Sequence, residues 1–305
     1  MAPADGLGAL PTALREAIAA ALRQASGFVP LRAQRLGGSA SGATLAIDAA
    51  DGRRAFVKLA AGELADALSA EEDGLRALQA AGSVAVPRPL CGGRHGEHAF
   101  LALEWLELAA WRPASAAAFG AGLAALHRHA GARFGWPRDN WIGASPQPNA
   151  WGEDWMSFFR DRRLAFQLER ARRRGYGCEL EQSGIERLLS GVPALLAGHT
   201  PQPSLVHGDL WSGNAAALAD ERPAIFDPAV HYADREVDLA MSELFGGFPE
   251  ELRAAYRSAW PLAPGYETRK HLYNLYHVLN HLNLFGRGYL AQAQQLVRRL
   301  NAELR

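Results

Sequence analysis

Cysteine is scarce in this chain. Cys91 and Cys178 are the only two among 305 residues, and they form no CxxC pair. That excludes a disulfide framework and makes a reducing cytosol the expected setting. There is no run of about 18 apolar residues, so no membrane-spanning helix is expected. Met1 to Leu10 has neither a basic start nor a long apolar stretch, so no signal peptide is expected either. An excess of one charge is also missing. The 32 basic and 32 acidic residues cancel, which gives no electrostatic reason to bind nucleic acid or an anionic membrane. Apolar residues are plentiful at 49%, enough to bury a sizeable core in one large domain or two lobes.

Residues 13 to 25 read as an amphipathic helix, with Leu14, Ile18 and Leu22 at helical spacing. Gly37 to Gly42 reads as a small-residue turn. Two strand-like runs follow, Thr44 to Asp48 and Ala55 to Leu59, with Asp51-Gly52 between them as a hairpin signal. Residues 63 to 81 read as a helix stopped by Gly82. Pro87 and Pro89 keep the next segment extended. Ala99 to Leu106 reads as a further strand, and the helical pattern resumes from Ala116 to His129. The plan is α+β with two lobes: a small β-rich front, residues 1–106, and a larger α-rich back, residues 107–305. The arginine run from Arg170 to Arg174 reads as a solvated helix end.

The segment LVHGDLWSGN (205–214), followed by PAIFD (223–227), carries the chemistry. A short apolar run delivers Asp209 into a loop, Asn214 follows five residues later, and a second strand presents Asp227. Phosphoryl transfer from ATP needs a carboxylate to orient the acceptor hydroxyl and take its proton. It also needs a carboxylate and an amide oxygen to hold Mg²⁺ against the phosphates. The same Asp-to-Asn spacing occurs in the catalytic loop of protein kinases. Asp209 is therefore the candidate base, and Asn214 and Asp227 are the candidate metal ligands. Capping of turns is the simpler use of Asp209 or Asn214 taken alone.

Lys58 lies within a strand-like run, where a lysine is unusual unless the strand is an edge. Kinases place such a lysine on the α- and β-phosphates and pair it with a helix glutamate. Glu71 lies three residues before Gly74, which places it inward, and Glu72 competes. Gly37, Gly38 and Ser39 would cover the phosphates. Glu104 to Leu106 would form a hinge whose backbone groups bond the adenine edge.

With these residues in place the sequence resembles the fructosamine-3-kinase (ketosamine-3-kinase) family. The similarity lies in HGDLWSGN with IFDPAVHYADREVDLAMSELFGGFPEEL, in FGWPRDNWIGASPQPN and DWMSFFRDRRL, and in LYNLYHVLNHLNLFGRGYL. HGDxxxxN alone is shared with aminoglycoside and choline kinases; the other blocks are more specific. The resemblance implies a bilobal aminoglycoside-phosphotransferase-like fold and transfer to the 3-hydroxyl of fructosamines and ribulosamines, a deglycation repair. The family's phosphate-loop cysteine is absent here, so no redox switch is expected from that loop.

A ketoamine substrate carries hydroxyls and a cationic amine. Asp234 either supplies charge to it or pairs with Arg235. Asp238 reads as a helix cap or an anchor of the catalytic loop. Trp211 either stacks on a sugar face or packs in its own loop. The resemblance puts Asn140 and Trp141 at the acceptor cleft. His277 and His281, four apart on a helix, read as a hydrogen-bonded face rather than a metal pair. His207 reads as an organiser of the catalytic loop. The competing functions are a kinase of another small alcohol, such as an aminoglycoside or a choline-like amine, and a nucleotide-binding pseudokinase scaffold. Against the scaffold, Lys58, Asp209, Asn214 and Asp227 are all present.

Overall fold

The computed structural model describes residues 10–39 and 42–304. The chain opens with helix α1 (Thr12–Ser26). The strands β1 (Pro30–Ser39), β2 (Gly42–Ala49), β3 (Arg54–Ala61), β4 (Pro89–His95) and β5 (His98–Glu104) form one antiparallel sheet in the order β1-β2-β3-β5-β4. Helix α2 (Ala65–Ala81) follows β3. The alternation of a strand dictates the layering. Ala55, Val57 and Leu59 of β3 are buried in one cluster with Leu14, Ile18 and Leu22 of α1. The opposite face packs on α2, where Ala60, Leu101 and Leu103 meet Leu68 and Leu75. Lys58 lies on that second face, in a central strand paired to Thr44 on one side and Leu101 on the other.

Two strands of this sheet escaped the sequence pattern. β1 is an edge strand whose Leu31 and Leu36 are exposed and whose Ala33 is buried, so it has no apolar alternation to read. β4 contains Gly92-Gly93, residues that usually count against a strand. Gly37, Gly38 and Ser39 accordingly belong to β1 rather than to a turn, and Gly42 begins β2. Ala40 and Ser41 lie outside the described residues, as does the side chain of Ser39. The backbones are close here: a Cβ on Gly38 would stand 2.5 Å from the Gly42 carbonyl oxygen.

The back of the molecule begins with β6 (Leu108–Ala109) and α3 (Pro113–His127). The short pair β7 (Asn140–Ile142) and β8 (Ser145–Gln147) follows, then α4 (Trp155–Phe159), a π-helical stretch Arg160–Ala165, α5 (Phe166–Arg173), α6 (Gly177–Gln182) and α7 (Ile185–Leu195). The segment that carries Asp209, Asn214 and Asp227 runs through β9 (Ser204–Val206), β10 (Ala215–Leu218), β11 (Pro223–Ile225) and β12 (His231–Ala233). Helices α8 (Glu236–Leu244), α9 (Glu250–Ala259), α10 (Tyr266–Phe285) and α11 (Leu290–Glu303) complete the chain. Among the described residues no helix is long and apolar enough to cross a membrane.

Three features join front and back. The Ala85 backbone donates to Pro223 O and accepts from Ile225 N, both at 3.0 Å. Leu78 and Val84 complete a core otherwise built from residues such as Phe119, Leu205, Ile225 and Leu252. The Arg138 guanidinium also reaches Ser69 and Asp73 of α2 at 2.8 and 3.0 Å.

Candidate active site

The catalytic loop leaves β9 at Val206 and is fixed from below by one carboxylate. Asp238, in the first turn of α8, accepts from the backbone N–H of His207 at 2.7 Å and of Gly208 at 2.8 Å. It also accepts from His127 Nε2 of α3 at 3.1 Å, while His127 Nδ1 accepts from the Tyr256 hydroxyl of α9. Burial works against the Asp238 charge, but the His127 bond and the backbone donors outweigh it and hold its pKa below the usual value. Asp238 is thus the loop's anchor. Gly208 is required where it stands: its φ is +84° and a Cβ would fall 2.2 Å from Ala229 O. The His207 ring donates from Nε2 to Phe226 O and accepts the Asp209 N–H at Nδ1. It therefore ties the Asp209 loop to the Asp227 strand. Burial lowers its pKa, so the ring is neutral near pH 7.

Asp209, Asn214, Asp227, Lys58 and Glu71 converge on one cavity of about 330 Å³. Asn214 Nδ2 donates to Asp209 O at 2.9 Å and to Asp209 Oδ2 at 3.3 Å. Lys58 Nζ lies 2.6 Å from Glu71 Oε1 and 2.7 Å from Asp227 Oδ1. Glu72 pairs with Arg76 on the same helix instead. Burial opposes the Lys58 charge, yet Glu71 and Asp227 outweigh it and raise its pKa above the ordinary value. Burial also pushes the Glu71 carboxyl up, with Lys58 pulling the other way. Asp209 is raised to about 7, by burial first and then by the negative charges of Asp227 and Asp238. Asp227 has φ +57°, a left-handed conformation that aspartate tolerates better than most residues but at a cost.

The donor set suits a hard divalent cation, which prefers oxygen ligands. All three hydrogen bonds of the Asn214 amide use Nδ2, which leaves Oδ1 uncommitted at the cavity wall. The Asp227 side chain is 48% exposed, and its ion pair uses only Oδ1.

The remaining predicted residues are placed differently. Trp211 and Asn140 line the same cavity. The Trp211 ring also packs on its own loop, since a Cβ on Gly213 would stand 2.2 Å from it. The Asn140 amide is largely committed: Nδ2 donates one bond, to Val230 O, and Oδ1 accepts from Gln147 and Asn149. It braces the segment between Asp227 and β12. Asp234 is a correction. It is completely buried, away from the cavity, and accepts from the Tyr273 hydroxyl, His199 Nε2 and Glu236 N. It does not pair with Arg235, which binds Tyr256, Trp260 O and Pro261 O. Gly37, Gly38, Glu104 and Leu106 do not line the cavity. Glu104 and Leu106 border a second space of about 460 Å³ beside Val84 and Pro223.

Sequence reading missed the buried polar frame behind the acceptor side. Arg163 is 1% exposed; it donates to Pro148 O and Asn149 Oδ1 and lies 4.8 Å from the Phe158 ring centre. Burial lowers its pKa to about 10. Tyr276 donates to Gln147 Oε1. Their partners lie up to 129 residues away, so no local pattern announces them. Among the described residues, His199, Asp234 and Glu236 come close enough together to suggest a metal. Their oxygens are already committed to Tyr273, the Glu236 N–H and Arg269.

Comparison with known proteins gives one direction. The family model for fructosamine kinase matches residues 15–303. A probable ketoamine kinase of Synechocystis sp. is 49% identical over 244 residues, covering 80% of this chain and 81% of that protein. The crystal structure of a candidate fructosamine-3-kinase from Thermobifida fusca superposes with a TM-score of 0.84 at 32% identity, covering 93% of this chain and 98% of the other. An aminoglycoside phosphotransferase shares the fold at a TM-score of 0.62 and 15% identity, over 93% and 97% of the two chains.

Proposed function

Because this chain belongs to the fructosamine kinase family, we propose that it is an ATP- and Mg²⁺-dependent kinase that phosphorylates the 3-hydroxyl of sugar ketoamines. The observation that carries this reading is the convergence of Lys58, Glu71, Asp209, Asn214 and Asp227 on one cavity. In the proposed division of labour, residues 1–106 hold the nucleotide and residues 107–305 supply the base and the acceptor site. Gly37 to Ser39 cover the phosphates, and the backbone of Glu104 to Leu106 meets the adenine. Lys58, steered by Glu71, neutralises phosphate charge. Asp227 Oδ2 and Asn214 Oδ1 would hold Mg²⁺, whose charge would screen the phosphates. Asp209 binds the acceptor hydroxyl and takes its proton as the oxygen–phosphorus bond forms and the bond to the leaving ADP breaks. Asn214 and the Asp238 anchor hold Asp209 in place for this. A phosphate at C3 of an enolised ketoamine is a good leaving group, so its loss and hydrolysis of the remainder would free the original amine. The setting proposed for this repair is the cytoplasm.

The test is ATP consumption with Mg²⁺ across ribuloselysine, fructoselysine, free sugars, choline and an aminoglycoside. Turnover on a ketoamine, with release of free amine, is the expected result. Turnover on another alcohol alone would keep the catalytic residues and discard the substrate. Nucleotide binding with no turnover on any of them would make the chain a scaffold.

A further inference from the structure

Exposed aromatic rings are costly and few, so where they gather is informative. Four tryptophan and phenylalanine side chains are exposed among the described residues: Trp151, Trp211, Phe245 and Phe285. Two of the four line the catalytic cavity, and a third packs on one of its lining residues. Trp211 and Phe285 line it directly, and Phe285, the last residue of α10, is 67% exposed. Phe245 packs edge-on against His281, another lining residue, at 5.0 Å. Phe285 and Tyr289 contact the same imidazole at 5.3 and 5.1 Å. His281 Nδ1 donates to His277 O, so its Nε2 carries the lone pair, and burial lowers its pKa. A histidine ring with three aromatic neighbours, one edge-on and two tilted, therefore stands at the cavity wall. The cavity floor below it is acidic, with Asp209, Asp227 and Glu71.

We propose that Phe245, Phe285 and Tyr289, gathered around His281, form a subsite for the amine-derived substituent of the acceptor. This subsite would favour ketoamines whose nitrogen bears an aromatic or extended apolar group. The inference rests on the ketoamine reading above. With the 3-hydroxyl at Asp209, the nitrogen on C1 is two carbons away, and whatever it carries must leave through the cavity mouth. A secondary ammonium and its carbon substituents gain from aromatic faces through cation–π and ring contacts. Polar solvent-facing side chains there would give no such gain.

The experiment compares kcat/KM for 1-amino-1-deoxyfructose and for the fructose ketoamines of propylamine and phenethylamine. In the native enzyme the values should rise along that series. In Phe285→Ala the phenethylamine adduct should lose about 3- to 10-fold. The unsubstituted parent should lose less than that, so the rise along the series flattens, and Phe245→Ala should behave likewise. A flat series in the native enzyme, or an equal loss on all three substrates in both variants, would overturn the subsite. No phosphorylation of any of the three by the native enzyme would instead overturn the ketoamine reading, and the subsite with it.

Discussion

Asp209 sits among negative neighbours with little water, and its raised pKa of about 7 follows from that. A base must be deprotonated to act, so lowering the pH through this value should remove activity. Charge at Asp227 contributes to the elevation. A cation bound there would cancel that contribution, so the Asp209 pKa should fall when Mg·ADP binds. Carbon-detected NMR of the Asp209 carboxyl, with and without Mg·ADP, measures the shift; an unchanged or raised value would separate Asp227 from the cation. Asp209→Asn should lower kcat by about 10²- to 10⁴-fold while nucleotide affinity changes little, and near-normal turnover would remove its role as base. At this scale the sequence was legible where short spacing brings residues together, as with Asp209 and Asn214. It misled at Asp234, because nearness in sequence to Asp227 does not tell which side of the segment faces the cavity. Asp234 turns inward to Tyr273 and His199, partners 39 and 35 residues away.

Among the elements, α2 decides whether Glu71 reaches Lys58. The helix is pressed against the segment after Asp227: a Cβ on Gly74 would lie 3.0 Å from Val230 Cγ2. Alanine in a helix interior is favoured over glycine by about 1 kcal/mol, so Gly74→Ala sets that gain against a tight contact. The expected result is a melting temperature close to native with a several-fold higher KM for ATP, because the helix and Glu71 are displaced together. Steady-state kinetics beside thermal unfolding would show it; an unchanged KM would mean that Val230 yields instead. The helices were readable from their periodicity, as Leu14, Ile18 and Leu22 show, since their cores lie on one stripe. β1 and β4 were not readable, because exposed edges and paired glycines leave no alternation. The turn expected at Gly37 to Gly42 is narrower than that span: Gly37 to Ser39 belong to β1 and Gly42 to β2, which pair antiparallel with Ser39 opposite Gly42.

For the whole molecule, acid sensitivity should come from buried neutral histidines. Burial lowers the His277 pKa to about 3, with a smaller contribution from His281, and places His231 well below its usual value. Unfolded histidine titrates near 6.5. The unfolded chain therefore takes up protons first as the pH drops, and stability present above about 6.5 should be lost progressively below it. Urea unfolding across this range should show the loss, and His277→Gln should flatten it; an equally steep curve in the variant would point to other groups. The two-lobe plan was visible in composition and pattern, but the joints between the lobes were not, because they depend on Ala85 backbone bonds and on Arg138 reaching α2. One joint has a practical consequence. Leu78 and Val84 belong by sequence to the front yet complete the core of the back. Fragments cut between residues 106 and 107 would each bare part of that shared core. Two such pieces, expressed from separate genes, should find each other and restore activity, giving a split enzyme whose reassembly reports on proteins fused to its halves.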